Sequence, residues 1–395
     1  MSSLTGTAAV DLTEVICLGE SMVTFLPSRP GRLADVPSFA RAIGGAESNV
    51  ACALAAAGHR VRWVSRVGAD GFGDHLTRAI AGYGVDTSAV GRDPDRPTGV
   101  YFRTATDRST DAHEVIYYRR GSAASAMSPR TVPYADVTGA RVLHLSGITA
   151  ALSDDCLALM RQLTAPRADR PLVSFDVNHR PGLWRDTPGA PVLLELARGA
   201  DLVFVGEDEA EEAWGLHGAA AVRAALPEPE LLVVKQGAKG AVLFDRRAAG
   251  GRGIAAGAAG GRSTASDGEH GQAGQPGQTD QTGQTGQAHA AGNAFAADTV
   301  TFAPAPRVEV SAPVGAGDAF AAGFLSGLLR ALPARDLLRH GHLMAAATLT
   351  VPEDLGTPPA TAHADRLVAL DDTAWGTLRL GPGWTSAGDE EGRTP

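Results

Sequence analysis

Apolar residues occur along the chain in short runs, each followed by small or polar residues. The runs are Val15–Gly19, Val61–Val67, Val142–Leu145, Leu172–Asp176, Asp201–Val205 and Leu231–Lys235. Uninterrupted apolar runs of this length are typical of strands buried on both faces. The Ala-rich stretch Ala46–Ala57 predicts a helix, and a second helix is predicted from about Asp74 to Tyr83. Strands that alternate with helices predict an α/β fold with a mainly parallel sheet, whose ligands bind beyond the carboxyl ends of the strands.

Two segments break this alternation. Thr98–Thr104 and His113–Arg119 alternate apolar with polar residues, are rich in Val, Tyr and Phe, and flank the polar turn Asp107–Asp111. This pattern predicts a β-hairpin. A hairpin inserted into an α/β domain can form a lid over the site, and a plain edge hairpin is the alternative.

One long segment has a different composition. Residues 248–298 are dominated by Gly, Ala, Gln, Thr and Ser, between the predicted strands Ala241–Asp245 and Val300–Phe302. Such a segment cannot bury enough apolar surface to offset the entropy of ordering. It is predicted to be a disordered insertion, and residues 383–395 a disordered tail.

Composition excludes several classes of protein. The 395 residues are 44% hydrophobic and carry a formal net charge of -9, without a long basic run, so no nucleic-acid partner is expected. The three cysteines lie far apart, which predicts neither a disulfide framework nor a zinc site and favours a reducing cytosol. No stretch approaches the ~20 apolar residues of a membrane helix. A soluble, cytoplasmic protein without a membrane partner is expected.

The strongest local signal for chemistry is Arg307–Phe320, which reads as a strand, a Gly-rich turn and an apolar helix. Gly315 and Gly317 allow a tight turn and close approach of a ligand to the backbone. The free N–H groups that open the helix suit a phosphoryl group. Asp318, in the first helical turn, could accept a proton from a hydroxyl there. An Asp that merely caps the helix is the alternative.

This stretch resembles the C-terminal signature of the PfkB (ribokinase-like) carbohydrate kinases. Gly44–Ala51 matches the family's GGA..NVA, and Arg66–Gly73 matches its RVG.D.FG. Walker A, protein-kinase and Rossmann motifs are absent from the sequence. The resemblance implies a ribokinase-like three-layer sandwich over residues 14–382, with lid strands near 20–43 and 97–120. It also implies ATP and Mg²⁺ as cofactors, Asp318 as the base, an anion hole at Gly315, Ala316 and Gly317, and a homodimer formed through the lid.

Two further motifs are similar to the subgroup of 2-keto-3-deoxygluconate kinases, YYR..SAAS from Tyr117 and DVN.R..LW from Asp176. Arginines there suit a sugar acid, because a guanidinium binds a carboxylate through charge-assisted bonds. A solvated charge at Arg119 and a salt bridge at Arg180 are the alternatives. The substrate-binding residues that the resemblance implies are Gly44, Gly45, Asn49, Tyr101, Tyr117, Arg119, Arg180 and Asp354.

The nucleotide side is expected at the Gly-punctuated turn after Leu231–Lys235, which is similar to the family's VK.G..G. The residues assigned to the nucleotide are Asn178, Lys235, Gly237, Gly240, Gly315 and Gly317. Glu209 matches the Glu of the family's NxxE element and is expected to hold Mg²⁺ through water.

Two positions depart from the family pattern. Gly206 replaces the Asn of NxxE, and Ala312 replaces an acidic residue that in relatives helps to bind a monovalent cation. We therefore expect weak or absent potassium activation. The function predicted is ATP-dependent phosphorylation of 2-keto-3-deoxygluconate. The alternatives are a kinase for fructose or another ketose, and a catalytically weak sugar-binding regulator.

Overall fold

The computed structural model describes residues 13–29, 31–104, 114–184, 188–247 and 298–386. Its strands are β1 Val15–Leu18, β2 Met22–Pro27, β3 Phe39–Gly44, β4 Val61–Gly68, β5 Val90–Asp93, β6 Val100–Arg103, β7 Val115–Tyr118, β8 Val142–Ser146, β9 Leu172–Asp176, β10 Leu202–Gly206, β11 Leu231–Lys235, β12 Ala241–Asp245, β13 Thr299–Ala303, β14 Arg307–Val308 and β15 Arg379–Leu380.

The described residues also form eleven α-helices. They are α1 Ala46–Ala56, α2 Gly71–Gly82, α3 Gly147–Ala150, α4 Asp154–Thr164, α5 Gly189–Arg198, α6 Glu207–Trp214, α7 Ala219–Ala225, α8 Ala316–Leu329, α9 Ala334–Leu349, α10 Thr361–Val368 and α11 Asp372–Thr377. No helix among the described residues is both long enough and apolar enough to cross a membrane.

A nine-stranded sheet runs through the centre in the order β13-β12-β11-β10-β9-β8-β1-β4-β5. The strands from β11 to β5 pair in parallel, whereas β12 and β13 are antiparallel additions at one edge. The predicted strands Leu172–Asp176 and Leu231–Lys235 are confirmed residue for residue. The α/β fold with a mainly parallel sheet is therefore confirmed.

Helices cover both faces of this sheet. Alternate residues of the buried strands therefore pack into two cores, one on each face. Val15 and Cys17 of β1 face a core built with α1, α2, α8 and α9. Ile16 and Leu18 face the opposite core, built with α4, α5 and α7. Burial on both sides explains why these strands read as uninterrupted apolar runs. The result is the expected three-layer sandwich.

A separate four-stranded sheet, β3-β2-β6-β7, carries the predicted hairpin. β6 and β7 pair antiparallel from Val100 with Tyr118 to Arg103 with Val115. Aromatic side chains pack across the neighbouring strands β2 and β6 of this sheet, where Phe25 and Phe102 stack with ring centroids 4.7 Å apart. The turn predicted at Asp107–Asp111 lies outside the described residues.

Two element boundaries differ from the prediction. The helix expected from Asp74 begins at Gly71, because the carboxylate of Asp70 accepts hydrogen bonds from the N–H groups of Phe72 and Gly73. The strand expected ahead of the glycine turn is only the two residues of β14. It pairs with β15 outside the main sheet, and the chain then passes through Pro313, which has no N–H to donate.

The two segments with the unusual composition are only partly described. Of the predicted insertion, residues 248–297 lie outside the described residues, and Asp298 begins the next described segment. Of the predicted tail, residues 387–395 also lie outside. Residues Trp384–Ser386 form a 3-10 turn, with Trp384 buried against the cluster under α10 and α11. The packed chain therefore continues to residue 386.

Candidate active site

Polar side chains collect at one edge of the large sheet, where its parallel strands end. Glu20 follows β1, Ser146 ends β8, Asp176 ends β9, and Lys235 ends β11. Because the carboxyl ends of parallel strands share one edge, these residues line the same side of the sheet. The glycine turn before α8 and the small sheet meet them there.

The glycine turn has the geometry that the sequence predicts for an anion site. Gly315 is the N-cap residue of α8, with φ of 77°, and no side chain caps the helix. A Cβ at this position would lie 2.3 Å from the carbonyl oxygen of Asp354, so only glycine fits. The first N–H groups of the 14-residue helix have no helical partners, and the helix dipole adds positive potential. The turn can therefore accept a phosphoryl group.

Asp318 lies in the first turn of α8, beside these amides. The amide group of Asn49, in α1, donates a hydrogen bond of 2.9 Å from Nδ2 to Oδ2 of Asp318. Burial raises the pKa of Asp318 to about 7; the hydrogen bond from Asn49 opposes that rise, and the charge of Asp176 adds to it. Asp318 does not cap the helix, so the simple capping interpretation is wrong. A carboxyl that titrates near neutrality can exchange a proton with a substrate hydroxyl.

A charged cluster lies next to the turn. Nζ of Lys235 donates hydrogen bonds to both carboxylate oxygens of Asp176, at 2.9 and 3.2 Å. The same Nζ would lie 3.4 Å from a Cβ placed on Gly317. Burial lowers the pKa of Lys235, but the charges of Asp176 and Glu209 outweigh burial and raise it. Lys235 is therefore an ammonium at the mouth of the anion site.

Glu209 and Arg180 form the outer part of this cluster. Oε2 of Glu209 accepts a 2.8 Å hydrogen bond from the N–H of Gly206, which fixes the carboxylate at the start of α6. Burial raises the pKa of Glu209, while the charge of Lys235 lowers it. Arg180 lies 3.6 Å from Glu209, with about half of its side chain exposed. The salt-bridge alternative for Arg180 is thus the arrangement in the structure, although the exposed guanidinium can still turn towards a ligand.

The remaining residues assigned to the nucleotide have unusual backbone conformations. Gly237 and Gly240 both have positive φ, and a Cβ on Gly240 would meet the carbonyl oxygen of Ala303 at 2.3 Å. Asn178 has φ of 40°, which is rare for a residue with a side chain. Its buried Oδ1 has no hydrogen-bond partner among the described residues. An acceptor left without a partner is costly, so Asn178 is suited to meet a donor from a ligand.

Three of the residues assigned to the substrate meet below the small sheet. The hydroxyl of Tyr101 donates a 2.5 Å hydrogen bond to Oδ2 of Asp354. A Cβ on Gly44 would lie 2.2 Å from that hydroxyl oxygen, so the glycine is required for the close approach. Gly45 is likewise pressed against the backbone, 2.4 Å from the carbonyl oxygen of Glu20 by the same measure. A side chain would not fit at either position, so these two residues can contact a ligand only through their backbone.

Arg119 forms an ion pair that the sequence analysis did not anticipate. Its Nε donates a 2.7 Å hydrogen bond to Glu20, and its second guanidinium nitrogen also contacts that carboxylate. The hydroxyl of Ser122 donates to the other oxygen of Glu20 at 2.6 Å. Arg119 is largely buried, so the interpretation as a solvated hairpin charge is wrong. The ring of Tyr117, half-exposed, lies 5.7 Å from the guanidinium.

Sequence reasoning missed three residues of this site, Glu20, Arg103 and Asp176. Glu20 and Asp176 stand where strands of the main sheet end, and that position alone was a usable signal. Arg103 is two residues after Tyr101 on a strand, so both side chains point to the same face. Its partner Asp354 is 251 residues away, and no local pattern reveals that contact.

Metal ligands are sparse at the site. Among the described residues, no three His, Cys, Asp or Glu side chains are close enough together to hold a metal ion. Ala312 is buried and contributes no side-chain oxygen. Glu209 and Asp176 are nevertheless near enough to the same ammonium to raise its pKa. Such carboxylates suit Mg²⁺ that arrives with a nucleotide and keeps several waters.

Comparison with known proteins identifies the family. The model of the pfkB family carbohydrate kinases matches residues 12–257 and 289–360. The 2-dehydro-3-deoxygluconokinase of Bacillus subtilis (strain 168) is 30% identical over 355 residues, 88% of this chain and 92% of that protein. Probable fructokinase-3 of Arabidopsis thaliana is 29% identical over 252 residues, 62% and 71% of the two chains.

A solved structure agrees with this assignment. The crystal structure of a PfkB protein from Polaromonas sp. JS666 superposes with a TM-score of 0.68 at 30% identity, and covers 89% of this chain and 99% of that one. The family model spans both the Asn49 helix and the Asp318 helix. The chain therefore belongs to the pfkB family and is a carbohydrate kinase.

Proposed function

We propose that the protein transfers the γ-phosphoryl group of ATP to the 6-hydroxyl of 2-keto-3-deoxygluconate, which gives 2-keto-3-deoxy-6-phosphogluconate and ADP. The position of Asp318 carries the proposal: the carboxyl lies in the first turn of α8, beside the free amides of the glycine turn. A base and an anion site are thereby held next to each other, as phosphoryl transfer requires.

Asp318 acts as the base. With a pKa of about 7, a large fraction of the carboxyl is ionised at neutral pH and can still accept a proton. As the sugar oxygen bonds to the γ-phosphorus, its proton passes to Asp318 and the bond from phosphorus to the bridging oxygen breaks. ADP leaves with that oxygen. The hydrogen bond from Asn49 holds the carboxylate in one orientation throughout.

The phosphoryl group is stabilised by the amides of Gly315, Ala316 and Gly317 and by the ammonium of Lys235. Preorganised donors of this kind act where negative charge develops and need no rearrangement during the step. Lys235 would exchange part of its contact with Asp176 for a phosphate oxygen. Asn178, Gly237 and Gly240 line the remainder of the nucleotide site.

Glu209, with Asp176 beside it, would hold Mg²⁺ through water. When bound, Mg²⁺ supplies positive charge that offsets the charge on the phosphates. The excess of carboxylates over ammonium groups in this cluster supports the assignment, since the nearby charge of Asp176 raises the pKa of both Glu209 and Asp318.

The sugar lies under the small sheet, which acts as a lid. The backbone of Gly44 and Gly45, with Asn49, Tyr101 and Asp354, would bind its hydroxyl groups. The carboxylate of the sugar acid would bind Arg119, flanked by Tyr117 and Arg180. Glu20 occupies the side of the Arg119 guanidinium formed by Nε and Nη2. Since the group carries five N–H donors, its Nη1 side is left for a second carboxylate.

A neutral ketose such as fructose is the second candidate substrate. The ion pair between Arg119 and Glu20 favours it, because the pair already neutralises the charge that would select an acid. The similarity to a probable fructokinase also supports it. The two candidate substrates differ in the group that would contact Arg119, which is a carboxylate in the sugar acid and a neutral hydroxyl group in the ketose.

The small sheet also offers a surface for a second copy of the chain. Tyr117 and Tyr118 are 50% and 63% exposed on its outer strand. Large exposed aromatic side chains are enriched at interfaces between proteins. A homodimer formed through this sheet is proposed on that basis, and the molecular mass in solution tests it.

A screen for ADP release across sugar acids and neutral ketoses tests the function. We expect turnover with 2-keto-3-deoxygluconate, and turnover lower by about 10²–10⁴-fold with the Asp318→Asn variant. Faster turnover with fructose would establish the second candidate. Absence of ADP release with every sugar would refute the kinase mechanism proposed for Asp318.

A further inference from the structure

A buried cation that the site does not yet explain lies on the small sheet. Arg103, the last residue of β6, has only 4% of its side chain exposed. Its Nη2 donates hydrogen bonds of 2.8 Å to the carbonyl oxygen of Pro352 and to Oδ1 of Asp354. Because a guanidinium is buried only when it is paired, this contact defines where the loop after α9 must lie.

Asp354 is held by two donors from one face of β6. Arg103 donates to Oδ1, and Tyr101, two residues earlier, donates to Oδ2. Burial raises the pKa of Tyr101 far above its ordinary value, and the charge of Asp354 raises it further. The phenol therefore stays protonated as a donor. With both oxygens fixed, the carboxylate of Asp354 has a single orientation.

The backbone of Asp354 touches the phosphate side of the site. Its carbonyl oxygen would lie only 2.3 Å from a Cβ placed on Gly315, which is too close for any side chain at that position. The same residue thus contacts the small sheet through its side chain and the glycine turn through its main chain. A small cavity next to this contact is lined by Asn49, Thr348 and Gly356.

We propose that Arg103 is a positioning residue that couples occupancy of the sugar site to the shape of the phosphate-binding turn. The inference rests on the proposed function, since it takes Asp354 as a sugar contact. Sugar that binds under the small sheet fixes β6, Arg103 then fixes Asp354, and Asp354 fixes the turn at Gly315. A planar guanidinium suits this task, because one nitrogen can reach two acceptors in a fixed geometry.

Calorimetric titration of the full-length protein tests the coupling. The β,γ-imido analogue of ATP, with Mg²⁺, is titrated in the absence and presence of 2-keto-3-deoxygluconate. In the wild type, the sugar should tighten nucleotide binding by roughly 5-fold or more, the range usual for coupled sites. In Arg103→Met the sugar effect should fall to about 2-fold or less. Arg103→Lys should recover part of the effect.

A matched control and a second variant separate coupling from damage. Arg66→Met removes a partly buried ion pair with Asp93, between the neighbouring strands β4 and β5 of the large sheet, and should leave the sugar effect unchanged. If Arg103→Met does not fold, Arg103→Lys takes its place, because it keeps a buried cation beside Asp354 but loses the planar fork. Its sugar effect should be smaller than that of the wild type.

The outcomes distinguish this proposal from the proposed function. A wild-type protein that does not bind 2-keto-3-deoxygluconate refutes the substrate, and the same titration with the sugar that releases ADP then decides the role of Arg103. An equal sugar effect in wild type and Arg103→Met overturns the inference, whichever sugar is used. A wild type without any sugar effect overturns it too.

Discussion

Asn49 and Asp318 are 269 residues apart in the chain, yet Nδ2 of one donates to Oδ2 of the other at 2.9 Å. The contact joins the first turn of α1 to the first turn of α8, and these helices pack side by side on the same face of the large sheet. Asn49 belongs to the glycine motif on the proposed sugar side, and Asp318 to the glycine turn on the proposed phosphate side. This hydrogen bond is therefore one link between the two halves of the candidate site.

Replacement of Asp318 by Asn should abolish most turnover and preserve binding of sugar. Loss of a general base typically costs 10²–10⁴ in rate, so kcat should fall by about that factor. The amide keeps the size of the side chain, so the Kd for the sugar should change little. ADP release and calorimetry measure the two quantities. A variant that retains near-normal kcat would show that Asp318 is not the base.

Asp318→Asn should also raise the thermal stability slightly. The folded-state pKa of this carboxyl is raised to about 7. A raised carboxyl pKa means that the folded state disfavours the ion, so stability is lost as pH rises from the unfolded pKa, about 4, towards 7. The uncharged amide avoids this loss. Thermal melts at pH 8 and pH 4 should show a Tm gain of roughly 1–3 °C only at the higher pH.

The pH dependence of kcat/KM should have an acid limb near the pKa of Asp318. The base must be ionised, so activity should rise as pH increases through about 7. Asn49→Ala removes a hydrogen bond that lowers this pKa, and should therefore move the limb to higher pH. The titration of the nucleotide is common to both proteins, so the displacement between the two profiles reports the carboxyl alone. Coincident profiles would contradict the assignment.

Arg119→Ala should reduce kcat/KM selectively for a sugar acid. A hydrogen bond to a charged group is worth about 1.5–3 kcal/mol, which corresponds to roughly 10- to 100-fold. Arg120→Ala, a neighbouring exposed arginine, is the matched control and should have little effect. Neutral ketoses should lose much less in the Arg119 variant. Equal losses for acidic and neutral sugars would indicate that Arg119 only supports Glu20 and the lid.

Two bidentate ion pairs, one buried and one half-exposed, test how much the burial of an ion pair changes the cost of removing one partner. Arg223 and Asp298 are fully buried, with both hydrogen bonds at 2.8 Å, whereas Arg161 and Glu195 pair equally well but are half-exposed. Arg223→Met should destabilise the fold by about 3 kcal/mol, because the carboxylate of Asp298 stays buried with only its longer, 3.5 Å contact to Arg246. Arg161→Met should cost no more than about 1 kcal/mol. Chemical unfolding measures both, and similar losses would contradict the argument.

Potassium should have little effect on activity. Ala312 stands where the family signature implies an acidic residue, and its buried side chain supplies no oxygen for a cation. Initial rates measured against KCl, with ionic strength held constant by a tetraalkylammonium salt, should show no saturable activation. Strong, saturable dependence on K⁺ would mean that backbone oxygens alone form the cation site.

The central strands could be predicted closely because both of their faces are buried. β9 and β11 therefore appear in the sequence as isolated apolar runs with sharp ends. The start of α2 could not, since the glycines after Asp70 suggest a loop and only the cap geometry turns them into a helix. Local composition thus predicts strands that are buried on both faces. It does not predict a helix start that depends on hydrogen bonds to one capping side chain.

The candidate site divides in the same way. Asp318 and its glycine turn are contiguous in sequence, so their spacing is a local signal. The pairs Arg103 with Asp354 and Arg119 with Glu20 join residues 251 and 99 positions apart. Such pairs are created by packing, and propensity or periodicity carries no information about them. Their discovery requires the fold.

The antiparallel hairpin of β12 and β13 fixes the two points at which the described chain stops, at residue 247, and resumes, at residue 298. Asp245 and Thr299 face each other beside Leu231, at the amino end of β11, whereas Lys235 stands at the opposite end of that strand. These two points therefore lie at the opposite end of β11 from Lys235. A reporter peptide grafted between them would enter the chain at the end of the strand that faces away from the candidate site.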